Sequence, residues 1–194
     1  TSASDCTVVE LGCGTGRLTF LLAPMAKHII AFDEAEPMLE KAREKLATME
    51  AATNNTKAHI EFHQGENRAL PPRVAADGIA DIVEGWSIAH LASWFPETWE
   101  EELEKVIVEM KRVAKKEAKI ILFETLGTNR TEPKVPSPRL EKMYGLLENS
   151  HGFSRHAIRT DYKFSSVLEA HEVLDFFFGA MDIPAAEGEG EQGM

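Results

Sequence analysis

Cysteine is nearly missing from this chain: Cys6 and Cys13 are the two that occur in 194 residues, too few for a disulfide framework in a domain of this size. That scarcity points to a reducing cytoplasm. No window approaches the run of about 18 apolar residues that a membrane span needs, and the start carries no signal-peptide pattern; a soluble protein with no membrane partner is expected. Basic residues are outnumbered, 21 Lys and Arg against 32 Asp and Glu, for a formal net charge of −11. Nonspecific nucleic-acid affinity comes from clustered Lys and Arg, so this balance argues against nucleic acid as a partner. An initial methionine is lacking too: the chain opens on Thr1, a few residues before an apolar strand, and a preceding segment is expected.

What is present suffices for one substantial core, since 43% of the residues are hydrophobic. A single domain over residues 1–183 is expected, followed by a disordered Gly- and Glu-rich tail over 184–194. Short β-branched runs alternate with helical patterns. Strands are predicted at Cys6–Leu11, His28–Phe32, His59–His63, Ala80–Val83 and Ile120–Phe123. Between them, Gly16–Ala26 carries Leu18, Leu21 and Leu22 at helical spacing, and the helix entered near Pro37 has Met38, Leu39, Ala42, Leu46 and Met49 as its buried stripe. A further helix is predicted over Glu97–Ala114. The proline-rich segment Gly127–Pro138 reads as a loop over a site, not a linker. A helix over Pro138–Asn149, a strand near Ala157–Phe164 and a helix over Ser166–Phe178 complete the pattern. Such alternation implies an α/β, Rossmann-like, doubly wound, mostly parallel sheet with helices on both faces, and ligands of such sheets bind beyond the carboxyl ends of the strands.

At the first of those ends stands Val8-Val9-Glu10-Leu11-Gly12-Cys13-Gly14-Thr15-Gly16-Arg17. One glycine would satisfy a tight strand-to-helix turn; three at alternate positions suggest bare backbone N–H groups brought against a ligand. The spacing is not the G-x-G-x-x-G of dinucleotide folds. Glu10-x-Gly12-x-Gly14-x-Gly16 instead resembles the first motif of class I S-adenosylmethionine-dependent methyltransferases, and the resemblance extends from Cys6 to Glu124. It implies that Glu10 orients the methionine end of S-adenosylmethionine through the loop, while Gly12, Gly14 and Gly16 make room for the amino acid and sulfonium. Cys13, inside the loop, is counted with the cofactor residues and given a packing role rather than that of a nucleophile. Asp33, ending strand two, would accept hydrogen bonds from the ribose hydroxyls, with helix N-capping as the competing account. Met38 would lie beside the adenine, with helix core an equally good account.

Gln64-Gly65-Glu66-Asn67, followed by Leu70-Pro71, is similar to the family's G-D-a-x-x-L-P segment with Glu66 in place of Asp. Glu66 or Asn67 would face the adenine amino group, the alternative being a solvated loop acid. Asp81-Ile82-Val83 resembles the fourth-strand motif, so Gly85 and Trp86 should line the cofactor or methyl-transfer region. The chain departs from the family pattern before strand five, where Lys116-Glu117-Ala118 stands in place of a Gly-Gly turn. It departs again at the end, where a single strand replaces the usual antiparallel hairpin, leaving that hairpin incomplete.

Direct methyl displacement needs alignment and exclusion of water more than a covalent enzyme group, though a hydroxyl or protonated amine acceptor is helped by a base. His90 is the first candidate base, Glu124 the second and Asp161 a distant third; a structural role for His90 is the competing account. Trp86, Trp94, Phe95 and Trp99 would wall an apolar acceptor or serve as core. No metal site is expected, because His59 and His63 lie on a strand with no acid or thiolate to complete a set. The leading expectation is therefore a small-molecule methyltransferase. Its rivals are a methyltransferase-like binding or interaction module without activity and, less favoured, a nicotinamide-dependent oxidoreductase. The sequence leaves the oligomeric state and the acceptor open.

Overall fold

A computed structural model describes residues 5–53, 58–127, 132–160 and 163–178 of the chain. It separates into two compact units, Thr1–Arg155 and His156–Met194. In the first, strands β1 (Thr7–Leu11), β2 (His28–Asp33), β3 (His59–Gln64), β4 (Ala80–Gly85) and β5 (Ala114–Leu122) alternate with helices α1 (Arg17–Leu22), α2 (Glu36–Thr53), α3 (Leu91–Trp94) and α4 (Trp99–Val113), and α5 (Pro138–His151) follows. The strands form one parallel sheet in the order β3-β2-β1-β4-β5. The chain reverses direction across the sheet between β1 and β4, which makes their carboxyl ends the crevice where such folds take ligands.

Alternation of side chains along β1 and β2 feeds two cores. Val8, Ile29 and Ala31 pack with Leu39 and Ala42 of α2 on one face, while Val9, Leu11, Ile30 and Phe32 pack with Leu103, Ile107 and Met110 of α4 and Met143 and Leu147 of α5 on the other. Helix α4 also matches its own dipole, with Glu100, Glu101 and Glu102 in its first turn and Lys111 and Arg112 in its last. Helix α5 starts on Ser137, whose hydroxyl accepts from Leu140 N at 3.2 Å, and stops at Gly152 in the left-handed region.

The structure corrects several expectations. Helix α1 is only six residues long, because Pro24 has no N–H with which to continue its hydrogen-bond ladder; Leu21 is exposed, and the buried member of this helix is Thr19. Met38 is exposed rather than part of the buried stripe of α2, which removes the helix-core account of it. Residues 115–118 are not a turn. Helix α4 passes straight into β5 through Ala114 in extended backbone, and β5 absorbs the excess as a bulge: Ala80 pairs with Ala114, but Ile82 pairs with Lys119. No strand forms at 157–160 or 163–164, and among the described residues no hairpin follows β5. Asp161 lies outside the described residues, as does the tail over 184–194.

The second unit contains α6 (Val167–Phe178), preceded by Ser166, whose hydroxyl accepts from Glu169 N at 3.1 Å. Among the described residues no helix is long and apolar enough to cross a membrane.

Candidate cofactor-binding crevice

The loop after β1 is built by its three glycines, with φ of 73° at Gly12, 54° at Gly14 and 79° at Gly16. At Gly12 a Cβ would stand 2.4 Å from Ser87 Oγ, whereas at Gly14 it would meet nothing within 4 Å. The first glycine thus lets β1 and β4 end side by side, and the second faces open space.

Four of the loop's N–H groups are taken up within the protein. Gly12 N and Cys13 N both donate to Phe32 O, at 2.8 and 2.9 Å, and Gly16 N donates to Cys13 O at 2.9 Å. Gly14 N donates to Asp33 Oδ2 at 2.8 Å, and Ala35 N to Asp33 Oδ1 at 2.8 Å. Asp33 therefore ties the loop to the start of α2 from the end of β2. Its bond to Ala35 is a local turn just before α2, the nearest feature to the capping account. Each carboxylate oxygen has two acceptor sites, so one on each remains for a ligand hydroxyl.

Beneath the loop Glu10 is 2% exposed, and its Oε2 accepts from Thr19 Oγ1 at 2.6 Å. Cys13 is buried and its thiol donates to Gly14 O at 3.8 Å, the packing position expected of it. Across the crevice Gly65 N donates to Asp33 O at 3.1 Å, and a Cβ on Gly65 would strike Phe32. Glu66 is ion-paired with Arg68. Asn67 Nδ2 donates to Ser87 Oγ at 3.0 Å, while its Oδ1 is buried without a hydrogen-bond partner. A buried orphan acceptor is costly; the Nδ2 of the same side chain lies 3.7 Å from where a Cβ on Gly12 would stand.

Gly85 ends β4 packed against Leu11 O. Trp86 follows, 47% exposed, its ring 6.4 Å from that of Phe123 with the Arg17 guanidinium 5.8 Å from its centre. His90, exposed at the end of a short 3-10 turn over Ile88–His90, stacks on Trp94 at 5.0 Å. Glu124 reaches the same turn from the end of β5 and accepts from Ala89 N at 3.0 Å. Burial pushes its carboxyl up to about 7, against the pull of the Ala89 and Ile88 amides. Burial, with Glu124 adding to it, also raises the Tyr144 phenol, whose hydroxyl donates to Thr125 O at 3.1 Å. The four expected aromatics separate: Trp99 is core, Trp94 is exposed, and Phe95 lies partly buried under the Arg68 guanidinium. Trp94 and Phe95 line a small cleft together with Asn67, Ser87, Ile88 and Leu91.

The sequence assigns Glu10, the glycines, Asp33, Gly65 and Asn67 to one site and names His90 and Glu124 as separate candidate bases; the structure brings these last two to one turn. Sequence reasoning missed Thr19 and Phe32, whose contacts depend on which strand lies next to which, and left Ser87 without its role as the hub between Gly12 and Asn67.

Residues 2–170 match a family described as a methyltransferase domain. The chain belongs to that family. A curated relative, an uncharacterized methyltransferase of Geobacillus sp. (strain WCH70), is 30% identical over 129 residues, covering 66% of this chain and 52% of the relative. The solved PH0226 protein of Pyrococcus horikoshii OT3 is similar with a TM-score of 0.51 and 26% identity, over 78% of this chain and 57% of that one. The YcgJ protein of Bacillus subtilis shares the fold, with a TM-score of 0.51 and 22% identity over 75% of this chain and 52% of its own. The chain spans about half the length of the relatives it matches.

Proposed function

We propose that this methyltransferase domain transfers the methyl group of S-adenosylmethionine to a small-molecule acceptor by direct displacement. The observation that carries the reading is the open space over Gly14 at the β1/β4 crevice. The residues around it fit the cofactor. The free acceptor sites of Asp33 suit two vicinal ribose hydroxyls, and Asn67, which lines the adjoining cleft, is the candidate for the adenine amino group. Met38 and Trp86, both exposed, offer apolar surface to the adenosyl group and to the transfer region, and Glu10 holds the loop from below. Gly12, Cys13, Gly16, Gly65 and Gly85 serve by backbone and packing. Glu66, paired with Arg68, is the weaker partner for adenine.

When bound, the cofactor supplies an electrophilic sulfonium methyl. The protein's task is then to hold the acceptor in line with it, exclude water and accept a proton. Glu124 suits the last task, since a carboxyl titrating near 7 is half-ionised at neutral pH. It also holds the turn that carries His90, which makes His90 the second candidate. The cleft walled by Leu91, Trp94 and Phe95 receives an apolar part of the acceptor. Both cysteines are buried, and we place the protein in the cytoplasm, a reducing compartment.

The test is a calorimetric titration with S-adenosylmethionine, S-adenosylhomocysteine and NAD in parallel. Both sulfur ligands should bind and NAD should not. Binding of NAD alone, or of none, overturns the proposal.

A further inference from the structure

A second cluster of chemistry-bearing side chains lies at the other end of the sheet. Strand β3 is an edge strand, and along it His59, Glu61 and His63 alternate with Ile60 and Phe62, which are buried. A period of two places the three polar residues on one face. Register adds a fourth, since His28 of β2 pairs with His59. Glu61 Oε1 lies 2.7 Å from His28 Nε2 and 3.2 Å from His59 Nε2, and Glu61 Oε2 lies 2.9 Å from His63 Nε2. The His28 and His59 rings stand 5.0 Å apart, tilted by 32°. One ligand atom from each of His28, His59 and Glu61 falls within 4.8 Å of the others. Sequence spacing concealed this set, because the acid missing between His59 and His63 is Glu61 and the second imidazole comes from another strand.

From this arrangement we propose that His28, His59 and Glu61 form a structural site for a divalent transition-metal ion, Zn²⁺ in the first instance, that fastens the edge strand β3 to β2. Two imidazole nitrogens and one carboxylate oxygen are a borderline donor set that favours Zn²⁺ over Mg²⁺ or Ca²⁺, which prefer all-oxygen cages. Tetrahedral Zn²⁺ with bonds of about 2.0–2.1 Å sets its ligand atoms roughly 3.4 Å apart, close to the spacings that Glu61 already holds. A water completes the fourth position. His63 bonds the carboxylate oxygen that His28 and His59 leave free and so fixes the ligand's orientation.

The site is remote from methyl transfer. His28 opens β2 and Asp33 closes it; five residues at about 3.3 Å each put roughly 16 Å between them. The ion's role here is therefore to clamp two strands, and neither its presence nor its loss depends on the reading of the crevice.

Equilibrium dialysis of the full chain, stripped of metal and free of any polyhistidine tag, against Zn²⁺ tests this, with melting temperature as the second readout. Wild type should bind one Zn²⁺ per chain and melt higher with it, because an ion that binds only the folded state stabilises it. His59→Ala, at a side chain 71% exposed and hence safe for the fold, should lose affinity at least tenfold together with the melting shift. Glu61→Gln should do the same, and His156→Ala should change neither. Absence of a saturable equivalent in wild type overturns the site, as does one that survives in both His59→Ala and Glu61→Gln.

Discussion

A Cβ at Gly12 would stand 2.4 Å from Ser87 Oγ, and one at Gly14 would meet nothing within 4 Å, although both residues have positive φ. Gly12→Ala combines left-handed strain of about 1–2 kcal/mol with overpacking of about 1–3 kcal/mol. Urea denaturation should show a loss near the sum. Gly14→Asp carries only the strain but sets a carboxylate beside Asp33 and in the open space; the protein should stay folded with S-adenosylhomocysteine binding abolished. Unchanged affinity would remove the loop from the site. Asp33→Ala should weaken the same ligand by about 1.5–3 kcal/mol, the loss of charged hydrogen bonds. It should also loosen the loop, because Gly14 N and Ala35 N lose their acceptor.

Glu124 sets a pH dependence of its own. Below about 4.5 both folded and unfolded chains hold the proton; between there and about 7 the unfolded chain releases it while the folded one keeps it. Stability therefore falls as pH rises through that window, with a slope of up to about 1.4 kcal/mol per unit, and Glu124→Gln should flatten the curve. Methyl transfer should run the other way, rising with pH to a midpoint near 7 that the same variant abolishes. The acids Glu10, Asp33 and Glu124 were legible as sequence positions because each stands at or within two residues of the carboxyl end of a strand. Their partners Thr19, Gly14 and Ala89 were not, since spacing along the chain says nothing of what a side chain meets across a crevice.

Among the elements, the link between β3 and β4 has little regular structure, and Arg112 of α4 holds it. Its guanidinium bonds Glu109 at 2.6 Å, Asp77 at 2.6 Å and Ala75 O at 2.9 Å, while Glu109 Oε1 receives Leu70 N at 2.7 Å. Burial penalises the Glu109 charge, and the Arg112 hydrogen bonds first, then that from Leu70 N, outweigh it and keep the carboxyl below the ordinary range. Arg112→Met should cost about 1.5–3 kcal/mol in thermal or urea unfolding, the range for hydrogen bonds to charged groups. A loss below 0.5 kcal/mol, the size of an ordinary surface change, would mean that the link stands without it.

Strands β1 and β2 could be read from their β-branched runs because they are buried on both faces, and β3 from the alternation that buries Ile60 and Phe62 at the sheet edge. The start of β5 could not: Lys115, Lys116 and Glu117 are charged and exposed, as a bulged edge strand permits. The expected strand at 157–164 had a plausible pattern, but a strand exists only with a neighbour to pair with, and Ile158 is 76% exposed.

For the whole molecule, every residue proposed here for cofactor or proton transfer falls within Thr1–Arg155. A chain ending at Arg155 should bind S-adenosylhomocysteine within a few-fold of the full chain by calorimetry. A larger loss would assign the second unit a part in binding. The order β3-β2-β1-β4-β5 also has a consequence for synthesis. The amide of Thr7 is received by Asp81, 74 residues further on, so one side of β1 must wait for β4 to be made. At about 5–20 residues per second that wait lasts roughly 4–15 s. Through it the nascent chain displays an apolar strand with an open edge, the kind of surface that chaperones recognise, and rare codons before residue 80 would lengthen the exposure.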